Sequence, residues 1–303
     1  MKDKSRTELI ERMTADGRGG RLSRREFIRF AVAAGMTVSS ASALWSSGVA
    51  AATPKRGGTF RLGTHDGNTS DTHDPGTYLS FSIIQLAHTY RSYLTMITPT
   101  NELGPDIATS WSASDDATEW TFELNKNASF HSGKKFTADD AIASLNHHRG
   151  EKSTSAATAL LKDVTEIVKN NDYSITVKLN QGNADLPWLM TDYHLAMCPA
   201  KADGTIDWQS GDGTGPYKIT DHEFGVGTKL VRHDGWHLEG AYFDACDFTV
   251  LNDPNARQTA LVTGDVDAIT QLELKTLALL KRNPNIEVDS VPSGAAITMP
   301  MFC

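Results

Sequence analysis

The chain has 303 residues, of which 39% are hydrophobic and 22% charged, with a formal net charge of −8. These are ordinary globular proportions, and the length is enough for two domains or one large one. The acidic balance, without a cluster of Lys and Arg with interleaved aromatic residues, excludes a nucleic-acid partner.

The N-terminal segment is predicted to be an export signal. Arg24 and Arg25 directly precede a weakly apolar run over residues 30–45. This order indicates a twin-arginine signal peptide over residues 1–52, recognised by the twin-arginine translocase. The run is shorter than the roughly 20 apolar residues of a membrane-spanning helix. Cleavage is expected after Ala50, Ala51 or Ala52. The alternative is an amphipathic helix that carries two incidental arginines.

The charge and the cysteines bear on the location of the mature chain. Residues 1–52 carry nine Lys or Arg against five Asp or Glu, so their removal leaves a net charge of −12. The cysteines are Cys198, Cys246 and Cys303, and none lies at the cleavage site, where a lipid anchor would need one. We therefore expect a soluble, unanchored protein in the periplasm. Spacing does not choose a disulfide among the three thiols, and a Cys198–Cys246 bridge stays open.

The first half of the exported body alternates short strands and helices. A strand is predicted over residues 58–63 and a helix over 81–94. Alternating apolar residues predict a half-buried strand over 120–124, after a turn at Asp115 and Asp116. A helix is predicted over 141–148, with Thr137 and Asp140 forming a capping box at its start.

The second half continues the pattern. Strands are predicted over residues 173–179, 229–232 and 248–251. The next element is a helix over residues 254–262, which Gly264 ends. The alternation predicts a mixed α/β (α+β) protein.

A glycine-rich stretch and the histidines are the features closest to catalytic or metal-site motifs. Residues 211–215 are glycine-rich, but the following residues 216–219 read as a strand, so a phosphate cradle lacks its helix N-terminus. We interpret these glycines as a place where backbone passes close to backbone. The His147–His148 and His233–His237 pairs are interpreted as solvated residues. No His-Glu-x-x-His or Gly-x-Ser-x-Gly motif occurs, so we predict neither an enzyme nor a metal or cofactor.

Several stretches in order resemble the ABC transporter solute-binding proteins of family 5, the peptide- and nickel-binding type. They are Gly57-Gly58-Thr59-Phe60-Arg61, Asp74-Pro75, Leu103-Gly104-Pro105-Asp106-Ile107-Ala108, Phe130-His131-Ser132-Gly133-Lys134, Thr214-Gly215-Pro216-Tyr217, Asn255-Ala256-Arg257 and Gly264-Asp265-Val266-Asp267-Ala268. The resemblance covers most of residues 56–300, and its specificity comes from the number and order of the motifs.

This resemblance implies a clamshell fold of the periplasmic binding protein type 2 kind. The family domain would occupy residues 56–303, with lobe one formed by 56–83 plus 212–303 and an accessory subdomain by 84–211. The chain stops in an apolar stretch where relatives continue, so we expect a C-terminally truncated chain whose second lobe is largely missing.

The implied function is solute capture for an ABC importer. A peptide or related organic solute would be delivered to the permease subunits, without chemistry. A nickel- or metal-chelate-binding member of the family is the alternative, and a periplasmic hydrolase is less favoured. Ligand-facing candidates are residues of strand-end loops and one aromatic: His65, Asp66, Tyr78, Trp236, Gln271, Ser293 and Gly294.

Overall fold

The computed structural model describes residues 9–10, 12–13, 24–45, 55–98 and 101–288. It begins with two short helices, α1 (Arg24–Ala33) and α2 (Val38–Leu44). Thr37 caps α2 by accepting the Ser40 N–H at 3.1 Å. The ring centroids of Phe27 and Trp45 lie 5.4 Å apart in the small core of this hairpin. Within the described ranges, no helix has the length and apolar character needed to cross a membrane.

The larger sheet combines the first strand after residue 55 with four strands from the later part of the described chain. Its strands are β1 (Thr59–Thr64), β8 (Tyr217–Glu223), β9 (Gly227–Arg232), β10 (Ala245–Val250) and β11 (Ala268–Ile269), in the order β11-β1-β10-β9-β8. β1 runs parallel to β10 and to β11, whereas β9 is antiparallel to β8 and β10. β1 therefore lies between two parallel neighbours, and the carboxyl ends of all three strands meet at one edge.

Helix α3 (Phe81–Tyr90) packs its apolar residues against this sheet. Its buried Leu86 and Ala87 share a core with Leu230 and Phe248 of the strands. The predicted helix over residues 81–94 was too long, because the backbone becomes extended at Arg91 (φ −120°, ψ 163°). The predicted division between residues 83 and 84 falls inside this helix.

A second sheet has its own core. β4 (Ala108–Ala113), β5 (Glu119–Leu124), β6 (Val164–Asn171) and β7 (Ser174–Leu179) form an antiparallel sheet in the order β4-β5-β7-β6. The period-two prediction for β5 is confirmed, since Trp120, Phe122 and Leu124 are buried and their neighbours are not. A small hairpin, β2 (Thr95–Ile97) and β3 (Leu103–Pro105), precedes this sheet, and a one-turn helix, α5 (Leu186–Leu189), follows it. We call residues 92–211 the accessory unit and residues 55–91 with 212–288 the main unit.

Helix α4 (Ala138–Asn146) covers the accessory sheet. It begins three residues before the predicted start, directly after Thr137, whose N–H donates to Asp140 Oδ2 at 2.9 Å. Asp140 is fully buried and also accepts the Ala200 N–H at 2.8 Å and the Lys134 ammonium. The predicted pairing of Thr137 with Asp140 is confirmed. The same carboxylate also connects the helix to the loop that contains Ala200.

The two units join at a crossing of two backbone segments, where Gly213 and Gly215 pass close to Tyr90. A Cβ on Gly213 would lie 1.8 Å from Tyr90 O, and one on Gly215 would lie 2.6 Å from the Tyr90 carbonyl carbon. The Gly215 N–H donates to Tyr90 O at 3.0 Å. The interpretation of the glycine-rich stretch as a close backbone approach is confirmed, and β8 follows it as predicted.

The C-terminal part of the main unit contains helix α6 (Pro254–Thr263) and the one-turn helix α7 (Leu277–Leu280). Gly264 ends α6 in the left-handed region (φ 79°), as predicted. Cys198 and Cys246 are buried, unbridged thiols that belong to different cores. The disulfide that the sequence left open between them does not form, and Cys303 lies outside the described residues.

Candidate functional site

A cleft lies at the carboxyl ends of the three parallel strands. His65 and Asp66 follow β1, Asn252 follows β10, and Gln271 follows β11; together with α6 they enclose about 460 Å³. In α/β sheets this edge is where ligands commonly bind, since strand-end loops converge there. Three of these residues, His65, Asp66 and Gln271, are among the ligand-facing candidates that the sequence analysis gave as residues of strand-end loops.

Arg257 forms the floor of the cleft. It projects from α6, is only 2% exposed, and donates to the carbonyls of Thr270 at 2.9 Å and Gln271 at 3.1 Å. It also donates to the carbonyls of Leu251 and Asn252, beyond the end of β10. The guanidinium thus satisfies carbonyl groups that the ending strands leave unpaired, a role suited to its planar fork of donors.

His65 is held rigidly on one wall. Its backbone N–H donates to Thr270 Oγ1 at 3.1 Å, and its Nδ1 shares a 2.7 Å hydrogen bond with the same hydroxyl. Its ring stacks on Phe81, with centroids 4.7 Å apart. Burial, followed by the positive charge of Arg257, lowers the pKa of His65, so the imidazole is neutral at pH 7.

Two cleft residues have an unusual backbone. Asp66 (φ 56°) and Gln271 (φ 50°) lie in the left-handed region without being glycine. Such conformations cost about 1 kcal/mol or more and persist where surrounding contacts fix them. Asn252 supplies one such contact, because its side-chain amide bonds both the N–H of Gly67 at 3.1 Å and its carbonyl at 3.0 Å.

The predicted ligand-facing residues separate into three groups. His65, Asp66 and Gln271 meet in the cleft. Tyr78 is fully buried and bonds the Tyr90 hydroxyl at 3.2 Å, so it presents no surface to this cleft. Ser293 and Gly294 lie outside the described residues.

Trp236 lies at the opposite edge of the main sheet. It belongs to the connection between β9 and β10, which reaches the amino end of β10. Its neighbour His237 has a fully buried side chain whose Nε2 lies 2.9 Å from Asp106 Oδ1. Trp236 therefore lies next in sequence to a contact between the two units, and it does not line the cleft.

Sequence reasoning did not identify five of the cleft residues: Phe81, Asn252, Pro254, Arg257 and Glu273. Arg257 stood in the motif Asn255-Ala256-Arg257, but nothing in the sequence places a mid-helix arginine beneath strand ends. Asn252 could have been identified from the sequence as a strand-end residue, because it directly follows the predicted strand over residues 248–251.

The interpretation of the paired histidines as solvated was wrong for two of them. His148 is fully buried with its Nδ1 2.7 Å from Ser155 Oγ, and the His237 side chain is likewise inaccessible. His147 bonds Asp74 at 2.7 Å, and its ring meets that of His148 edge-on, with centroids 5.1 Å apart. The part of the chain that the structure describes contains no group of three His, Cys, Asp or Glu residues that could hold a metal ion.

Comparison with known proteins gives a consistent family match. The model described as bacterial extracellular solute-binding proteins, family 5 Middle, matches residues 102–302. A probable peptide ABC transporter periplasmic-binding protein of Sinorhizobium fredii is 26% identical over 219 residues, covering 66% of this chain and 41% of the relative. Heme-binding protein A of Haemophilus influenzae is 26% identical over 213 residues, covering 62% of this chain and 39% of the relative.

Comparison with solved structures agrees with the sequence matches. The PBP AgaA of A. tumefaciens R10, solved in complex with agropinic acid, superposes with a TM-score of 0.70 at 24% identity. The match covers 75% of this chain and 46% of that one. The fold is therefore that of the periplasmic binding proteins, and the chain spans less than half the length of these relatives.

Proposed function

Because the chain belongs to family 5 of the bacterial extracellular solute-binding proteins, we propose that it captures a peptide or a related organic solute for an ABC importer. The observation that carries the proposal is the cleft at the carboxyl ends of β1, β10 and β11, with Asp66 and Gln271 fixed at its mouth. A solute bound here would be passed to the permease subunits of the importer.

The cleft suits binding because its walls are preorganised. Arg257 fixes the loop after β11, and Asn252 fixes the loop after β1. A solute that contacts such a wall loses less free energy to ordering the protein. In a clamshell protein a second lobe closes on the solute and the closed form is stabilised by contacts with both sides. The family is one of binding proteins, and we propose that this chain makes and breaks no bond.

We infer that the main and accessory units described above are the working division of the exported body. Lobe one would comprise residues 55–91 and 212–288, with residues 92–211 inserted as the accessory subdomain. Support comes from their separate cores and from the crossing at Tyr90 and Gly215.

We propose export to the periplasm through the twin-arginine route, with Arg24 and Arg25 as the recognised pair and no lipid anchor. This pair begins the helical hairpin α1–α2, which has its own small core. Replacing both arginines by lysine should retain the precursor in the cytoplasm. N-terminal sequencing of the exported protein should place cleavage at Ala50, Ala51 or Ala52.

Solute capture is tested by thermal shift on the exported chain against a panel of di- and tripeptides, opines and amino acids, followed by calorimetric titration of the solutes that stabilise it. We expect saturable binding that Gln271→Ala weakens about tenfold, a loss of about 1.4 kcal/mol. The control is Gln209→Ala, whose side chain bonds Lys201 in the accessory unit. If no solute binds, or both variants bind like the parent, the cleft is not a solute site.

A further inference from the structure

We propose that the buried guanidinium of Arg91 binds a small monovalent anion, of the size and charge of chloride, at the junction of the main and accessory units. This site is separate from the cleft at the strand ends and does not depend on solute capture. The residues that the structure describes provide the Arg91 side chain with neither a hydrogen-bond acceptor nor an ion-pair partner.

The Arg91 side chain is fully enclosed. Its residue is 1% exposed, and it lies where helix α3 ends and the chain passes into the accessory unit. The Nε, Nη1 and Nη2 atoms are all buried, and none of them has a hydrogen-bond partner among the described residues. A guanidinium carries five N–H donors and keeps its charge, whereas buried donors in folded proteins are nearly always paired. The side chain therefore requires acceptors from a bound species.

A second buried arginine in the same chain shows the contrast. Arg257 is 2% exposed, and its guanidinium donates to four backbone carbonyls. Arg91 is buried to the same extent but receives no such carbonyl from the described part of the chain. Backbone acceptors thus explain the burial of Arg257 and do not explain that of Arg91.

Two aromatic rings lie close to the guanidinium. Its central carbon is 4.9 Å from the ring centroid of Tyr90 and 6.0 Å from that of Tyr78. The ring quadrupoles stabilise the positive charge, but they offer the N–H donors no oxygen lone pair. The two phenol oxygens bond each other at 3.2 Å, and the Tyr78 hydroxyl also donates to the carbonyl of His73. The rings favour a cation here and leave its hydrogen bonds to another group.

The titratable groups around Arg91 are neutral at pH 7. Burial raises the pKa of Tyr78 and Tyr90 above the ordinary value of tyrosine, and it raises the pKa of Cys198 to about 11. Burial, followed by the charge of Arg91, lowers the pKa of His73 to about 3. None of these four groups can balance the guanidinium, because the acids keep their protons and the imidazole stays uncharged.

These surroundings select a small anion over water and over larger ligands. A water molecule accepts N–H groups but leaves the charge unbalanced, and an isolated buried charge is far more costly than a neutral polar group. Tyr78, Tyr90 and Cys198 are all inaccessible to solvent, so the site has no opening for a phosphate or for the chain of a peptide carboxylate. A monatomic anion can enter during local opening, accept several N–H donors and supply the opposite charge.

A bound anion would strengthen the junction of the two units. Tyr78 and Tyr90 belong to the core of the main unit, whereas Cys198 packs in the accessory unit with Ile206. The charge of Arg91 acts on both sides, since it influences the pKa of Tyr90 and of Cys198. Because the anion neutralises this charge only when both units are folded around it, we expect it to stabilise the exported chain.

The proposal is tested by thermal unfolding of the exported full chain in sodium chloride and in sodium gluconate at equal ionic strength. We expect chloride to raise the midpoint saturably, by about 3 °C or more at about 100 mM. Arg91→Met removes the charge and the donors but keeps an unbranched side chain, and it should abolish this shift. Arg232→Met is the control and should retain it, because Asp234 and Asp244 already pair with that guanidinium.

A second measurement needs no variant. Crystals of the parent chain grown in bromide should show an anomalous peak within hydrogen-bond distance of the Arg91 guanidinium. Equal midpoints in the two salts, or a chloride shift that Arg91→Met retains, would overturn the assignment. It would also be overturned if the crystals showed water and no bromide at the guanidinium.

Discussion

Arg257 and Gln271 are 14 residues apart in sequence, and a 3.1 Å hydrogen bond from guanidinium to carbonyl joins them at the floor of the cleft. This bond is one of four that the buried Arg257 side chain donates to backbone carbonyls just beyond the ends of β10 and β11. The geometry of the cleft thus depends on a residue that presents almost none of its surface to it.

Arg257→Lys should destabilise the main unit by about 2–4 kcal/mol, because one ammonium cannot serve four carbonyls in different directions and buried acceptors are left unpaired. Urea unfolding measures the change. Arg232→Lys is the control, since its partners Asp234 and Asp244 are exposed, and it should cost under about 1 kcal/mol. Equal losses in both variants would contradict the role given to Arg257.

The stability of variants at Gln271 should depend more on whether the new residue tolerates positive φ than on the size of its side chain. At φ 50° a glycine or asparagine is tolerated, whereas a β-branched residue is strained. We expect Gln271→Gly to remain within about 0.5 kcal/mol of the parent and Gln271→Val to lose about 1–2 kcal/mol. Thermal unfolding without solute measures this. A valine variant as stable as the glycine variant would show that the loop relaxes.

Gly213→Ala should be far more disruptive than an ordinary glycine substitution. Its Cβ would fall 1.8 Å from Tyr90 O, so one of the crossing segments must move. We expect a loss above about 3 kcal/mol or failure to fold. Gly204→Ala is the control, because that site is open but has φ 80°, and should cost about 1 kcal/mol. Should the two substitutions cost the same, steric contact at the crossing is not what requires glycine.

Stability should fall as the pH drops below about 6.5, the ordinary pKa of histidine. Burial lowers the pKa of His148 to about 3, and burial with Arg91 lowers that of His73 to about 3. Between pH 3 and pH 6.5, roughly, these histidines bind protons in the unfolded chain but not in the folded chain, so the free energy of unfolding rises with pH. Each group contributes a slope of up to about 1.4 kcal/mol per pH unit.

His148→Gln removes one of these groups, so the slope between pH 4.5 and 6.5 should become shallower even if stability at pH 7.5 also falls. Urea midpoints across that range give both quantities. An unchanged slope would mean that His148 takes up its proton in the folded protein.

The elements that the sequence predicted well have local causes. The strand containing Trp120 and Phe122 alternates cleanly, and Gly264 supplies the positive φ that ends α6. His65, Asp66 and Gln271 lie together in the cleft because each is within two residues of the end of β1 or β11, and parallel strands bring their ends together.

The misplaced features depend on contacts distant in sequence. Apolar residues continue past Tyr90, so a helical pattern extended to residue 94. The helix nevertheless ends at Tyr90, and Tyr93 and Leu94 are buried in non-helical backbone beyond it. Tyr78 read as a loop residue, but a 3₁₀ turn over Pro75–Thr77 precedes it and its side chain lies in the core. His148 is also fully buried, with its Nδ1 bonded to Ser155 Oγ, and no local pattern in the sequence indicates this burial.

The close approach of Tyr90 and Gly215 places the entry and exit of the accessory unit side by side. There Ser92 donates two hydrogen bonds to Thr214, from its N–H to Oγ1 at 3.2 Å and from its hydroxyl to the carbonyl at 3.3 Å. Because the two ends of the accessory unit are adjacent, its removal would leave two chain ends that a short turn can join. The accessory unit, residues 92–211, is therefore a suitable place for grafting, where a reporter domain or a foreign insertion could replace the accessory sheet while β1, β10 and β11 keep their register.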